Sequence, residues 1–158
     1  MALAARVPDG PRVRVAALIL LDGNVVLVRH RSGPSTYHLL PGGGVDYRET
    51  LEAALVREVT EETGLHIEVG RPLLISDTID PRGSRHVVNI TFASTVVGGE
   101  ITTHPQDRRV EAVELVDPSA LAALDFRPPI ADAIAELITA GDGPARYLGS
   151  LFTDGHSR

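Results

Sequence analysis

The chain has 158 residues, of which 43% are hydrophobic and 23% are charged, the balance of one ordinary globular domain. The formal net charge of −6 argues against a nucleic-acid duplex as partner, because a duplex is bound by a basic face, but it allows a small anionic ligand held through a metal ion. The absence of cysteine excludes disulfides and thiolate sites, and the lack of a bilayer-spanning apolar run or a signal-like N-terminus predicts a cytoplasmic protein without a membrane partner.

The first part of the chain is typical of β-structure. Residues 12–21 alternate and then become continuously apolar, which predicts a strand. A turn signal at residues 22–24 leads into a second predicted strand at residues 25–30. Residues 31–37 contain a Gly-Pro pair and are predicted to form a loop.

A glycine-rich loop then precedes the clearest helix of the sequence. The run Pro-Gly-Gly-Gly at residues 41–44 is the strongest loop signal in the chain. Residues 48–63 have helical periodicity, and Gly64 is placed to end the helix as a left-handed cap.

Strand signals dominate again after this helix, and a second helix follows. An apolar stripe predicts that second helix at residues 129–140, and the composition becomes loop-like from Gly141 onward. We therefore expect one domain over residues 1–141 and a mobile tail over residues 142–158. The order of strands, helix, strands and helix predicts an α+β fold with sheet and helices in layers. The remaining predicted elements are strands at residues 73–78, 86–97 and 110–116, a turn at 80–83 and a short helix from 117.

One face of the first helix changes character along its length. Its first half is apolar, and its second half carries three glutamates that repel one another at a cost of roughly 0.2–0.5 kcal/mol per pair. Local inconsistency of this kind marks functional sites, and a hard divalent cation such as Mg²⁺ or Mn²⁺ would relieve the repulsion. The alternatives are a solvated run of charges, or neutralisation of one carboxylate by Arg57. The residues of this face are Leu51, Ala54, Leu55, Glu58, Glu61 and Glu62.

The segment from Gly43 to Leu65, GGVDYRETLEAALVREVTEETGL, resembles a complete Nudix box. Seven fixed residue types at these spacings arise by chance on the order of once per 10⁸ starting points, so coincidence is a poor explanation. The fixed positions are filled by Gly43, Glu49, Arg57, Glu58, Glu61, Glu62 and Gly64.

The resemblance implies a Nudix-like sandwich with a mixed sheet, flanking helices and a divalent cation, Mg²⁺ or alternatively Mn²⁺. It implies that Glu49 and Arg57 pair to orient the glutamates. The reaction is then attack of a metal-activated water on a diphosphate. The implied metal ligands are Glu58, Glu61, Glu62 and the carbonyl of Gly42.

The residue that takes the proton from water is left open among several carboxylates. Glu58 and Glu62 lie on the helix, and Glu111 is the favoured downstream alternative. Glu100 and Asp107 come behind it, each with a surface carboxylate as the simpler interpretation.

Substrate contacts are expected around the glycine loop and the second strand. Arg29 and Arg31 close that strand and could hold phosphates, although arginines at strand ends are often simply solvated. Gly43 allows close backbone approach to a phosphate. A base could stack on Tyr37 or Phe92, for which core packing is the alternative. Among the histidines, His38 is the candidate for a role in the site, because it stands beside the glycine loop.

The expected function is hydrolysis of a diphosphate linkage in a small nucleotide. Pro81, sixteen positions after Leu65, resembles the branch of the family that cleaves ADP-ribose, although a proline also suits a turn. The predicted substrates are therefore a nucleoside diphosphate linked to another group, such as ADP-ribose or a nucleotide sugar. Alternatives are nucleoside triphosphates, including oxidised ones, or a nucleotide-sensing domain without turnover. We expect a monomer or a homodimer.

Overall fold

The computed structural model describes residues 10–141 and 143–153 and places a mixed β-sheet between helices. No helix in this described part is long and apolar enough to cross a membrane. The strands are β1 Arg12–Leu21, β2 Asn24–Ser32, β3 Ser35–Leu39, β4 Gly42–Gly44, β5 Leu65–Ile79, β6 His86–Gly99, β7 Val110–Val116 and β8 Arg146–Ser150. The helices are α1 Leu51–Thr63, a 3₁₀ helix at Pro118–Ala123 and α2 Ala131–Ala140.

Strand β1 is the centre of the sheet. It runs parallel to β6, from the pair Arg12↔Val87 onward, and antiparallel to the short β4. Only the end of β1 pairs with β2, which continues antiparallel to β3 and β7. On the other side β5 lies antiparallel to β6 and parallel to β8. Parallel and antiparallel pairs occur together, so the predicted α+β fold with a mixed sheet is confirmed.

The core lies on both faces of β1. Val15, Ala17 and Ile19 share one buried cluster with α1. Ala16 and Leu18 belong to a second cluster that includes residues of the 3₁₀ helix and α2. A strand covered on both faces needs apolar side chains at successive positions, which explains the continuous apolar run in its sequence.

Three predicted boundaries in the first half are wrong. The predicted loop at residues 31–37 is a hairpin in which β2 reaches Ser32 and β3 starts at Ser35. The glycine run is not all loop, because Gly42–Gly44 pairs with β1 as β4. The predicted strand at residues 73–78 is only the end of β5, whose register shifts around Pro72 let the strand pass that residue.

The helix starts and the C-terminal segment also differ from the sequence-based predictions. Helix α1 begins at Leu51 and not at Arg48, because Arg48 has a φ of 68°, outside the right-handed helical region. Helix α2 likewise begins at Ala131. The loop-like composition after Gly141 hides β8, whose pairing with β5 is a contact between distant parts of the sequence. The domain boundary at residue 141 stays a prediction.

Candidate functional site

Helix α1 is fixed at both of its ends. The Thr50 hydroxyl accepts a hydrogen bond of 3.1 Å from the backbone N–H of Ala53, which satisfies one free donor of the first turn. Gly64 adopts a φ of 78°, and its N–H donates to the Thr60 carbonyl at 2.9 Å. The predicted left-handed cap is therefore confirmed, and the side chains of the last turn project from a well-defined backbone.

The buried face of α1 ends in carboxylates, as the sequence indicates. Leu55 is fully buried against the sheet, and Glu62 on the same face is only 2% exposed. The Glu58 side chain is 14% exposed, whereas that of Glu61 is 39% exposed. Leu51 is largely outside the core, so the buried stripe starts one turn later than predicted.

Glu62 is a buried carboxylate with little compensation. The backbone N–H of Gly42 donates to its Oε2 at 2.9 Å. Burial raises the pKa of Glu62 to about 7, against the opposing effects of the Gly42 hydrogen bond and the Arg14 charge. The negative charges of Glu58 and Asp107 add to the rise in this pKa. Keeping this group ionised costs free energy that a cation would offset.

The glycines of β4 are required by the closeness of their neighbours. A Cβ on Gly43 would lie 2.2 Å from the carboxyl carbon of Glu58. A Cβ on Gly42 would lie 2.0 Å from the backbone oxygen of Val15. The strand therefore threads between β1 and α1 only because it has no side chains there, and this brings its backbone against both Glu58 and Glu62.

Arg57 connects the turn before α1 to the carboxylates of the helix. It donates from Nε and Nη2 to the two oxygens of Glu49, at 2.8 and 2.9 Å, and from Nη1 to Glu58 at 2.8 Å. Its Nη2 also donates to the Gly44 carbonyl at 3.1 Å. The pKa of Glu49 falls to about 2, mainly through the Arg57 hydrogen bonds and also through the N–H of Asp46. The structure thus brings together the two residues expected to orient the glutamates.

The carboxylates of the three glutamates that are expected to bind metal do not converge on one position. Glu61 lies at the helix surface, 3.7 Å from Arg57 Nη1. Within residues 10–141 and 143–153, no group of three or more His, Asp or Glu side chains is close enough together to hold a metal ion. Glu58 and Glu62 nevertheless flank Gly42 and Gly43, and their oxygens suit a hard cation such as Mg²⁺ or Mn²⁺. The buried, poorly compensated Glu62 is the feature that fits a divalent cation best.

A cleft of about 520 Å³ opens beside β4 and Glu62. Arg14, one of its lining residues, donates from Nη2 to the Leu40 carbonyl at 2.9 Å. This positive lining was not predicted, although the alternation Arg12-Val13-Arg14 indicates two arginines on one side of a strand. Four arginines line the cleft, namely Arg12, Arg14, Arg85 and Arg109. In the described part of the chain, no ion pair is formed by Arg12, Arg14 or Arg85.

The turn at residues 80–83 carries one of these arginines to the cleft. Asp80, only 4% exposed, accepts hydrogen bonds from the Arg82 backbone N–H at 2.9 Å and from the Ser84 hydroxyl. The Asp80 N–H donates to the Arg85 carbonyl at 2.8 Å. The Arg82 side chain, whose Nε donates to Asp80 at 2.9 Å, is the main cause that lowers the pKa of the Asp80 carboxyl, followed by the Ser84 hydroxyl and the Arg82 N–H. Together these hydrogen bonds fix the turn that precedes Arg85.

Arg29 and Arg31, the expected phosphate contacts, are engaged elsewhere. Their Nε atoms donate to the two oxygens of Glu111, at 3.0 and 2.7 Å, and these bonds lower the pKa of Glu111, with Arg31 as the larger cause. Arg29 also pairs with Glu114, whose carboxylate accepts a hydrogen bond of 2.7 Å from His38 Nε2. None of these five residues lines the cleft.

The other downstream carboxylates occupy different positions. Asp107 lies near enough to Glu62 for its charge to raise the Glu62 pKa. Its own pKa is lowered, first by the side chain of Arg109, whose Nη2 donates to it at 2.7 Å. Glu100 is exposed in the segment that follows β6. Of the candidates downstream of the helix, Asp107 is therefore the one that the structure brings towards Glu62.

The two aromatic candidates separate clearly. Phe92 packs against the buried cluster beneath α1. Tyr37 lines the cleft, where its ring lies edge-on to the buried His30 with 5.5 Å between ring centroids. Tyr37 also lines a smaller space of about 120 Å³ that adjoins the cleft. The residues shared by both spaces are Arg14, Tyr37, Leu39 and Arg85.

These features define a sheet–helix sandwich whose acidic loop–helix–loop borders a positively lined cleft. A family model described as NUDIX domain matches residues 10–137 of this chain. The chain belongs to the Nudix family.

Individual relatives agree with this family assignment. An ADP-ribose pyrophosphatase of Methanocaldococcus jannaschii is 38% identical over 108 residues, which are 66% of this chain and 63% of that protein. Diphosphoinositol polyphosphate phosphohydrolase 3-alpha of Mus musculus is 26% identical over 140 residues, covering 87% of this chain and 84% of that protein. A solved NUDIX hydrolase from Nitrosomonas europaea superposes with a TM-score of 0.73 at 25% identity, covering 87% of this chain and 93% of the other.

Proposed function

We propose that this chain is a metal-dependent Nudix pyrophosphohydrolase that acts on a nucleoside diphosphate linked to another group, of the ADP-ribose or nucleotide-sugar type. The observation that carries the proposal is the buried Glu62 carboxylate, held against Gly42 at the edge of the cleft. The similarity to a protein named ADP-ribose pyrophosphatase supports this class of substrate.

Glu58, Glu61, Glu62 and the Gly42 carbonyl are the residues that we assign to the cation. When bound, Mg²⁺ or Mn²⁺ supplies charge neutralisation for the diphosphate and activation of the attacking water. The hydrogen bonds from Arg57 to Glu49 and Glu58 hold one of these carboxylates in orientation.

The diphosphate is assigned to the cleft arginines. Within the described chain, the guanidinium groups of Arg14 and Arg85 form no ion pair with a carboxylate, so both are placed to contact an anionic ligand in the cleft. Gly43 adds a stretch of backbone without a side chain beside them. Arg29 and Arg31 are already neutralised by Glu111, which makes them the weaker choice for this role.

The same ion pairs bear on the residue that accepts the proton from water. Both oxygens of Glu111 accept hydrogen bonds from arginines, and a carboxylate with a lowered pKa is a weaker base. Glu58 uses one oxygen for Arg57 and lies directly against Gly43. We therefore assign the proton acceptor to the helix carboxylates in preference to Glu111.

The test is turnover by the purified chain. ADP-ribose, nucleotide sugars and nucleoside triphosphates are incubated with Mg²⁺, with Mn²⁺ or with EDTA, and the products are separated by ion-exchange chromatography. Water added across the P–O–P bond of ADP-ribose gives AMP and ribose 5-phosphate, and we expect both products only when a cation is present. Faster cleavage of triphosphates would overturn the substrate class. Tight binding of a nucleotide without any turnover would overturn the enzyme in favour of a sensor domain.

A further inference from the structure

The space of about 120 Å³ beside the cleft, the side compartment, is walled by segments distant in sequence. One wall comes from β3 with Tyr37 and another from the loop at Arg127 and Pro128. A third wall is the segment directly after β8, including Phe152. The backbone N–H of Leu151 fixes this last segment by donating to the Asp77 carbonyl at 2.7 Å. The C-terminal part of the described chain therefore contributes directly to a space joined to the cleft.

Two aromatic rings line the side compartment, and each is held by a guanidinium group. Arg127 lies over the ring of Tyr37, with its Cζ 4.2 Å from the ring centroid. Arg82 lies over the ring of Phe152 at 6.0 Å. Aromatic rings are scarce in this chain, at 4% of its residues, so two of them in one small space are a specific feature. Aromatic side chains of this kind stack well on planar heterocycles.

A polar side chain, that of Asn89, also lines the side compartment. Asn89, 7% exposed, donates from Nδ2 to the Thr78 hydroxyl at 3.0 Å. Its carboxamide retains one N–H hydrogen and one carbonyl oxygen, a donor and an acceptor side by side. Such an edge matches a heterocycle that presents an acceptor next to a donor.

The size of the side compartment restricts its occupant. Its volume of about 120 Å³ is close to that of an apolar cavity of roughly 150 Å³ that accepts one benzene ring. One planar ring system fits this space, whereas a ring together with a sugar and phosphates extends beyond it. Arg14 and Arg85 line both the compartment and the cleft, so the phosphates of a bound molecule would continue past them towards Glu62.

We propose that the side compartment binds the heterocyclic base of the substrate, and that Phe152 is a specificity-determining residue that stacks on this base. The identification of the ring as a nucleotide base rests on the proposed function. The ring-binding property itself does not, because it is measured on product fragments without hydrolysis.

The experiment measures binding by isothermal titration calorimetry, with AMP, GMP, UMP, CMP and ribose 5-phosphate as probes. We expect at least one nucleoside monophosphate to bind the wild-type chain about 10-fold or more tightly than ribose 5-phosphate. Phe152→Ala should remove most of this preference and leave the affinity for ribose 5-phosphate unchanged. Phe152→Tyr, which keeps a ring, should retain the preference.

Tyr147→Ala is the matched control, because Tyr147 is a 66% exposed ring on β8 that does not line the side compartment. Equal affinities of the wild type for all five probes, or an unchanged preference in Phe152→Ala, would overturn the inference. If the wild type hydrolyses no nucleotide but binds the base, and the Phe152→Ala variant does not, the ring-binding site is supported and the proposed function is wrong. If the wild type hydrolyses the nucleotide and Phe152→Ala changes neither base binding nor KM, the proposed function is supported and the ring-binding site is wrong.

Discussion

The backbone N–H of Gly42 lies 2.9 Å from Oε2 of Glu62, and this hydrogen bond ties β4 to the last turn of α1. It is the contact through which the glycine strand and the acidic helix become one site. Since Gly42 also lies against Val15 of β1, the position of the Glu62 carboxylate is set by the centre of the sheet.

Gly43→Ala should lower kcat by about 100-fold or more, because the added methyl group would occupy the position of the Glu58 carboxyl group, 2.2 Å away. Steady-state kinetics with ADP-ribose measure the effect. Gly143→Ala is the matched control, since a Cβ there has open space within 4 Å. Wild-type kcat in Gly43→Ala would show that Glu58 is free to move without consequence.

The buried Glu62 should make the metal-free protein less stable at high pH. Its pKa is raised from 4.5 to about 7, so the folded state binds more protons than the unfolded state between these values. The contribution of Glu62 to the free energy of unfolding is therefore still largely present at pH 5. It falls by about 2–3 kcal/mol as the pH rises through 7 towards 8. Urea unfolding in EDTA at the two pH values measures this loss.

Glu62→Gln supplies the reference for that measurement, since its amide oxygen can still accept from Gly42 and carries no charge. The difference in unfolding free energy between wild type and variant should shift in favour of the variant from pH 5 to pH 8. Added Mg²⁺ should restore the wild type at pH 8, because ligand binding stabilises the folded state. Parallel pH profiles for the two proteins in EDTA would contradict the assignment.

Arg57→Lys should retain folding but lose about 10- to 100-fold in kcat, because an ammonium group cannot contact Glu49 in two places and also reach Glu58. Kinetics at several Mg²⁺ concentrations would show a weaker apparent affinity for the cation. Arg108→Lys serves as the control for a general effect of the substitution. An unchanged Mg²⁺ dependence in Arg57→Lys would mean that Glu58 needs no orienting partner.

Glu111→Gln and Glu58→Gln should differ strongly in turnover. We expect about 100-fold or greater loss of kcat for Glu58→Gln and less than about 10-fold loss for Glu111→Gln, because arginines already occupy both Glu111 oxygens. The ratio of the two kcat values at pH 8 is the readout. A larger loss for Glu111→Gln would return the role of proton acceptor to the downstream strand.

Arg85→Gln should raise KM by about 10-fold, the scale of one charge-assisted hydrogen bond to a phosphate, with a smaller effect on kcat. Arg31→Gln is the comparison, because its guanidinium is paired with Glu111 outside the cleft. Its KM should stay within about 3-fold of the wild type. Equal increases for both variants would show that the phosphates contact β2 as well.

Local signals made the helix and its acidic end predictable. The 3.6-residue period, the position of Gly64 and the spacing of the glutamates all lie within one continuous segment. The buried position of Glu62 followed from the coincidence of charges with the apolar face. The predicted start of the helix was wrong because nothing in the local sequence indicates that Arg48 adopts a left-handed conformation.

The cleft could not be predicted in the same way, because its walls meet only in three dimensions. Arg14 comes from β1 and Arg85 from the turn after β5, and neither position is special within its own segment. The ion pairs of Glu111 depend on β7 lying beside β2, a pairing between residues about 80 positions apart. Strand β8 was not predicted for the same reason. Its glycine-containing sequence has no strand pattern of its own, and its extended conformation depends on pairing with β5.

The side compartment and the acidic helix come from separate parts of the chain, and this separation makes the scaffold easy to redirect. Combinatorial libraries at Tyr37, Asn89 and Phe152 would vary the shape offered to a ligand without replacing any residue between Gly42 and Gly64. Selection from such libraries can therefore search for new substrates while the segment between Gly42 and Gly64 keeps its sequence.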